Sequence, residues 1–256
     1  MRELWFSAGG VRLFAVEDGA GPAIVMLHGG MADHRASRPY VAPLADRYRV
    51  VTPDLRGSGR SHDAGPLSFD GLADDVAKLL DFLGLDRAVV AGVSGGSGVA
   101  LRFALRRPER TAALLLVQPV YAGEEAGYTE SQKAAFAGLR AVASRALAEG
   151  VQVLRPLYER LPPERRDKAL AMLAEFDAAS VVATSEFIAS GAQPFRSSAD
   201  LAALAMPVLL VRGADAVHPG EVSDLYAASI PGCEVAPAET ADVPAILRGF
   251  CDRLRT

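Results

Sequence analysis

The sequence predicts an α/β fold in which a mostly parallel sheet is flanked by helices and interrupted by a helical insertion. Three observations carry this expectation. Short, continuously apolar runs (23–27, 49–52, 88–93, 112–117 and 208–211) suit strands covered on both faces. Stretches of helical period lie between them, and that alternation implies parallel strands joined by crossovers. From about Tyr121 to Ala199 the rhythm stops, and alanine-rich helical patterns replace it.

The elements follow in chain order. Residues 4–6 and 11–17 flank Gly9-Gly10 and read as an edge hairpin. The run 23–27 ends in His28-Gly29-Gly30, and the run 49–52 ends in Pro53-Asp54. Leu72, Val76, Leu79, Leu80 and Leu83 recur at helical spacing, with Gly84 as the stop. The strand 88–93 then feeds Gly92-Val93-Ser94-Gly95-Gly96, followed by a helix that ends before Pro108. In the insertion, Thr129 and Gln132 have the spacing of a capping box. The strand 208–211, a helix near 221–229, a short strand 233–236 and a helix capped by Asp242 complete the chain. The expected division is a core of residues 1–120, a helical cap of 121–199, and a second core portion of 200–256.

Composition narrows the function classes. Half of the 256 residues are hydrophobic and 23% are charged, enough for one large core and a soluble globular domain. A net charge of −4 argues against nucleic acid or an anionic membrane as partner. The arginines are scattered, and no stretch is long and apolar enough to span a bilayer. Cys233 and Cys251 suit reduced, packed thiols, so a cytoplasmic location is expected. Metal-ligand spacings, phosphate-cradling loops and dinucleotide fingerprints are absent, so neither a metal nor a cofactor is expected. The oligomeric state is left open.

The chemistry centres on Ser94. Glycines two residues before and after it permit a sharp strand–turn–helix elbow in which a Cβ at either position would clash. Such an elbow holds the hydroxyl out into a cleft, and the Gly95 N–H opens the helix, where a developing oxyanion is favoured. Alone, the pentad also fits a plain glycine-rich turn capped by Ser94. The ordered series His28-Gly29-Gly30, Asp54-Leu55-Arg56-Gly57-Ser58-Gly59 and Gly92-x-Ser94-x-Gly96 resembles the α/β-hydrolase fold family, in its branch with a helical cap after the sixth core strand.

That resemblance implies a serine hydrolase acting on a small ester, lactone or related acyl substrate. Ser94 would be the nucleophile, and the N–H groups of Gly30 and Gly95 the oxyanion hole. Asp215, in Gly213-Ala214-Asp215-Ala216-Val217-His218-Pro219, would be the acid. His28, Met31, Tyr121 and Phe195 are candidate substrate contacts, although His28 also reads as a structural histidine of its turn. Tyr128, Phe136, Tyr158, Phe176 and Phe187 are further candidate pocket walls.

One motif departs from the pattern. The loop expected to carry the histidine base, Pro237-Ala238-Glu239-Thr240-Ala241-Asp242, contains none, and Ala241 stands about where the imidazole is expected. A serine hydroxyl is a poor nucleophile without a positioned base. Among His28, His34, His62 and His218, the best placed is His218, three residues after Asp215. A loop that short rarely lets one side chain orient another toward a third group, so packing beside Pro219 or lining the pocket is the favoured reading. The missing base fits either an enzyme with an unusual base, whether natural or with the histidine exchanged, or a small-ligand-binding homologue that has lost the reaction.

Overall fold

The computed structural model describes residues 1–62, 65–237 and 242–254. Eight strands form one sheet: β1 (Arg2–Ala8), β2 (Val11–Asp18), β3 (Ala23–Leu27), β4 (Arg49–Pro53), β5 (Ala88–Val93), β6 (Thr111–Val117), β7 (Val208–Val211) and β8 (Glu234–Ala236). Their spatial order is β1-β2-β4-β3-β5-β6-β7-β8. The β1–β2 hairpin pairs antiparallel at one edge and β2 meets β4 antiparallel, while all later pairs are parallel.

The helices between β3 and β6 are α1 (His34–Val41), α2 (Phe69–Phe82) and α3 (Gly95–Arg106). Between β6 and β7 come α4 (Glu130–Ala143), α5 (Ala146–Glu149), α6 (Arg155–Glu159), α7 (Pro163–Leu173), α8 (Ala178–Ala189) and α9 (Ser198–Leu201). The chain closes with α10 (Gly220–Ser229) and α11 (Val243–Arg253). The sequence reading missed α1. Its N-cap is Asp33, whose carboxylate accepts the Arg35 N–H, but Pro39 lies inside the helix and hides the period.

Both sheet faces are covered, which explains the unbroken apolar runs. Val25, Leu27, Val90, Leu114, Leu116 and Leu210 face α2 and α3. Ile24, Met26, Val89, Ala91, Leu115 and Val211 face the opposite way, toward Val41, Leu247 and Phe250. Alternate residues of one strand thus fill two separate cores. The parallel strands β3, β5 and β7 place their carboxyl ends together, and the loops that follow those ends meet there.

Candidate active site

The elbow is built by crowding. A Cβ on Gly92 would collide with the Gly96 carbonyl oxygen, and one on Gly96 with the carbonyls of Leu27 and His28. Strand β5, helix α3 and the end of β3 therefore approach closely only because both positions are glycine. Ser94 sits at φ 53° and ψ −120°, a left-handed conformation that side-chain-bearing residues rarely adopt. The Ser94 N–H donates to the Val117 carbonyl at 2.9 Å, and the Ser94 carbonyl accepts the Ser97 hydroxyl at 2.5 Å. The strain is held from both neighbouring elements, and the Ser94 side chain stands at the mouth of a cavity.

The loop after β3 and the start of α3 meet beside Ser94. A Cβ on Gly95 would stand 3.1 Å from the Gly30 nitrogen, so the two backbones lie side by side next to Ser94. The Gly95 N–H belongs to the first turn of α3 and has no partner within that helix. Met31 follows at φ 54°, and its carbonyl accepts the Tyr158 hydroxyl from α6 at 2.6 Å.

A histidine from another loop reaches Ser94. His218 Nε2 lies 2.8 Å from Ser94 Oγ. Its Nδ1 lies 2.9 Å from both Asp215 carboxylate oxygens. With Nδ1–H donating to the carboxylate, the Nε2 lone pair faces the serine hydroxyl, the arrangement a general base requires. His218 therefore neither merely packs beside Pro219 nor lines the cavity wall, the two readings favoured for so short a loop. Asp215 Oδ1 also accepts the N–H groups of Val217 and His218, each at 2.8 Å, so one carboxylate both folds the loop and orients the ring. Burial raises the pKa of Asp215, and the hydrogen bonds from the His218 side chain and backbone outweigh it, leaving the carboxyl below its ordinary 3.8.

Two further contacts brace this loop. Gly213 lies directly under His218, where a Cβ would strike the His218 carbonyl, and its N–H donates to Ser223 Oγ at 3.0 Å. The fully buried Gln132 amide donates to the carbonyls of Val120 at 2.8 Å and Val217 at 2.9 Å. Gln132 is also the third helical residue in the capping box with Thr129. The sequence showed the box but gave no sign that its amide reached across to the His218 loop.

The other histidines lie elsewhere. His28 is buried; Nε2 accepts the Leu55 N–H at 2.9 Å and Nδ1 lies 2.7 Å from the Gly29 carbonyl. Burial lowers its pKa below the ordinary 6.5, consistent with a neutral ring. Its ring ties two loops together and does not line the cavity at Ser94, so the expectation of a substrate contact is corrected. His34 bonds Asp54 at 2.7 Å, and the His62 carbonyl accepts the Ser180 hydroxyl. Asp33, His34 and Asp54 place potential metal-ligand atoms within 4.8 Å of one another. Their carboxylates already take hydrogen bonds from Arg35, His34 and Arg60, which accounts for the cluster as loop bracing. Ala241 and Glu239 lie outside the described residues.

The cavity at Ser94 measures about 330 Å³ and is walled by Met31, Tyr121, Phe136, Leu139, Tyr158 and Ile188, among others. No charged side chain among the described residues lines it. Phe195 is not part of its wall. It stacks edge-on against Tyr226 with ring centroids 5.8 Å apart and borders a different surface cleft. Met31 and Tyr121 do reach the cavity.

Residues 22–159 match the model of the alpha/beta hydrolase fold. The chain belongs to this family. It is 40% identical over 102 residues, 38% of each chain, to a protein of Caulobacter segnis provisionally named carbamate hydrolase RutD. To the protein of the same name from Azorhizobium caulinodans it is 28% identical over 92% of this chain and 93% of the other. A thermophilic esterase from Thermogutta terrifontis superposes with a TM-score of 0.81 at 26% identity, covering 100% of both chains.

Proposed function

We propose that this alpha/beta hydrolase is a serine hydrolase for small, apolar acyl substrates, with Ser94 as nucleophile, His218 as base and Asp215 orienting the base. One observation carries the reading: the continuous line from the Asp215 carboxylate through the His218 ring to Ser94 Oγ. His218 Nε2 takes the hydroxyl proton as Ser94 Oγ attacks the carbonyl carbon. The resulting oxyanion is received by the N–H groups of Gly30 and Gly95. Collapse passes the proton from His218 to the leaving oxygen and leaves an acyl-serine, which water cleaves with His218 again as base. The helices between β6 and β7 act as a cap, and the uncharged cavity beneath them favours an apolar acyl or alcohol group next to the ester. A cytoplasmic setting accords with the two free thiols, Cys233 and Cys251.

The test is aryl-ester hydrolysis paired with labelling by a serine-directed phosphonate. Wild-type protein should turn over and label stoichiometrically at Ser94. Ser94→Ala and His218→Ala should each lose most of the rate, by up to about 10⁶ if they act as a unit, as in other serine enzymes. Saturable ligand binding with neither turnover nor labelling would defeat the hydrolase reading in favour of a binding protein. Full activity in His218→Ala would remove His218 from the mechanism.

A further inference from the structure

A second cavity of about 440 Å³ abuts the first. Met31, Tyr158 and Leu161 line both, so the two cavities adjoin at these three residues. The second chamber differs in chemistry. Its floor is apolar, from Ala36, Pro39, Ala169 and Met172, while Arg35, Arg165 and Lys168 supply three cations and no carboxylate among the described residues lines it. Arg35 is already neutralised by Asp33 and Glu175. Arg165 and Lys168 have no ion-pair partner among the described residues. They stand three residues apart on α7, hence on one face of that helix. Elsewhere the chain tends to pair its cations: Arg145 with Glu149, Arg155 with Glu159, and Arg212 with Asp224.

We propose that the chamber under α7 is an anion subsite, and that the substrate is an ester whose apolar body ends in a carboxylate received by Arg165 and Lys168. The proposal rests on the serine-hydrolase reading for its chemistry and adds the substrate class. The uncharged cavity at Ser94 would hold the reacting ester and the start of the chain. The chain would pass Met31, Tyr158 and Leu161, lie on the apolar floor, and bring its anionic end to the two unpaired cations. A fully uncharged ester of equal length would find the same apolar surface but leave the cations unmatched.

The experiment compares 4-nitrophenyl monoesters of adipic, suberic and sebacic acids with uncharged fatty-acyl 4-nitrophenyl esters of the same chain lengths. In the wild type the carboxylate-tipped esters should have the higher kcat/KM, by about tenfold, the scale expected of two exposed ion pairs. The gain should lie in KM and shrink with added salt. In the double variant Arg165→Glu/Lys168→Glu the ratio of charged to uncharged kcat/KM should invert. A wild-type ratio at or below one, or a ratio that the double variant leaves in place, overturns the proposal. Binding is measured in parallel by calorimetry with N-benzyl suberamic acid, an amide that the chemistry need not cleave. Its binding should weaken about tenfold in the double variant, and equal affinity in the two proteins overturns the subsite even if no ester is hydrolysed. Absence of all ester hydrolysis with charge-dependent amide binding would instead defeat the hydrolase reading and uphold the subsite.

Discussion

Two loops meet at the Ser94 hydroxyl, and they are built on opposite principles. The elbow after β5 is shaped by what its residues lack: Gly92 and Gly96 leave no Cβ where strand, helix and the end of β3 converge. The loop after β7 is shaped by polar contacts that its residues make. Asp215 accepts two backbone N–H groups of its own turn as well as the His218 ring, and Gln132 holds the Val217 carbonyl from outside. A backbone-crowded elbow tolerates no change at its glycines but asks nothing of its partners. A hydrogen-bonded loop can be weakened in steps. The difference also shows how Asp215 can orient His218 toward Ser94 within four residues. The carboxylate that orients the imidazole is the same one that folds the turn, so no separate loop is needed to bring a histidine to Ser94.

The sharpest break in this contrast is Gly92→Ala. The new Cβ meets backbone rather than a movable side chain, so strand and helix must separate. Overpacking of this kind costs about 1–3 kcal/mol or more, and the variant should show a lowered Tm together with loss of ester turnover. Normal Tm and turnover in Gly92→Ala would show that the elbow is less crowded than described.

Next in size is Asp215→Asn. An asparagine can still accept backbone N–H groups through its amide oxygen, so the turn should persist. The ring loses its acidic partner and the favoured tautomer, a change that cost about 10⁴ in kcat in a serine protease; here a fall of about 10²–10⁴ is expected with KM little altered. Because the Asp215 side chain is 59% exposed, solvent should screen part of the effect and favour the lower end. An unchanged kcat would mean that the carboxylate only folds the loop.

These two loops were unequally legible in the sequence for a physical reason. Crowding leaves a spacing of glycines that can be read from the chain, and Gly92, Ser94 and Gly96 therefore identified the elbow along with the parallel sheet that supports it. The loop after β7 is defined by where a side chain turns in space. Asp215 and His218 were visible as neighbours, and His218 stood among the candidates, yet a loop so short was expected only rarely to aim one through the other toward Ser94, as this one does. That expectation overlooked that Gly213 lets the chain fold back under His218 and that Asp215 binds two N–H groups of the turn. Phe195 shows the converse: its aromatic character suggested a pocket wall, but stacking on Tyr226 keeps it in the packing beneath a different cleft. Helix α1 was hidden because Pro39 interrupts the period that would have announced it.

The smallest expected effect comes from outside both loops, at Gln132. Its side-chain amide nitrogen joins the carbonyls of Val120 and Val217, tying α4 to the residue before His218. Gln132→Leu keeps an apolar volume in a fully buried position but removes both donors and the capping-box oxygen. The buried Val120 carbonyl and the half-buried Val217 carbonyl then lose a partner, at about 1 kcal/mol each, so Tm should fall modestly. If the bridge also positions the loop, kcat should drop about tenfold with KM nearly constant, since a tenfold change corresponds to about 1.4 kcal/mol of misplacement at the base. Phosphonate labelling of Ser94 should slow by a similar factor, because that reaction also needs the His218 ring. A purely structural Gln132 would lower Tm and leave kcat and labelling unchanged at temperatures well below unfolding. In that outcome the His218 loop would stand on Asp215 and Gly213 alone, self-supporting in the manner of the elbow it faces.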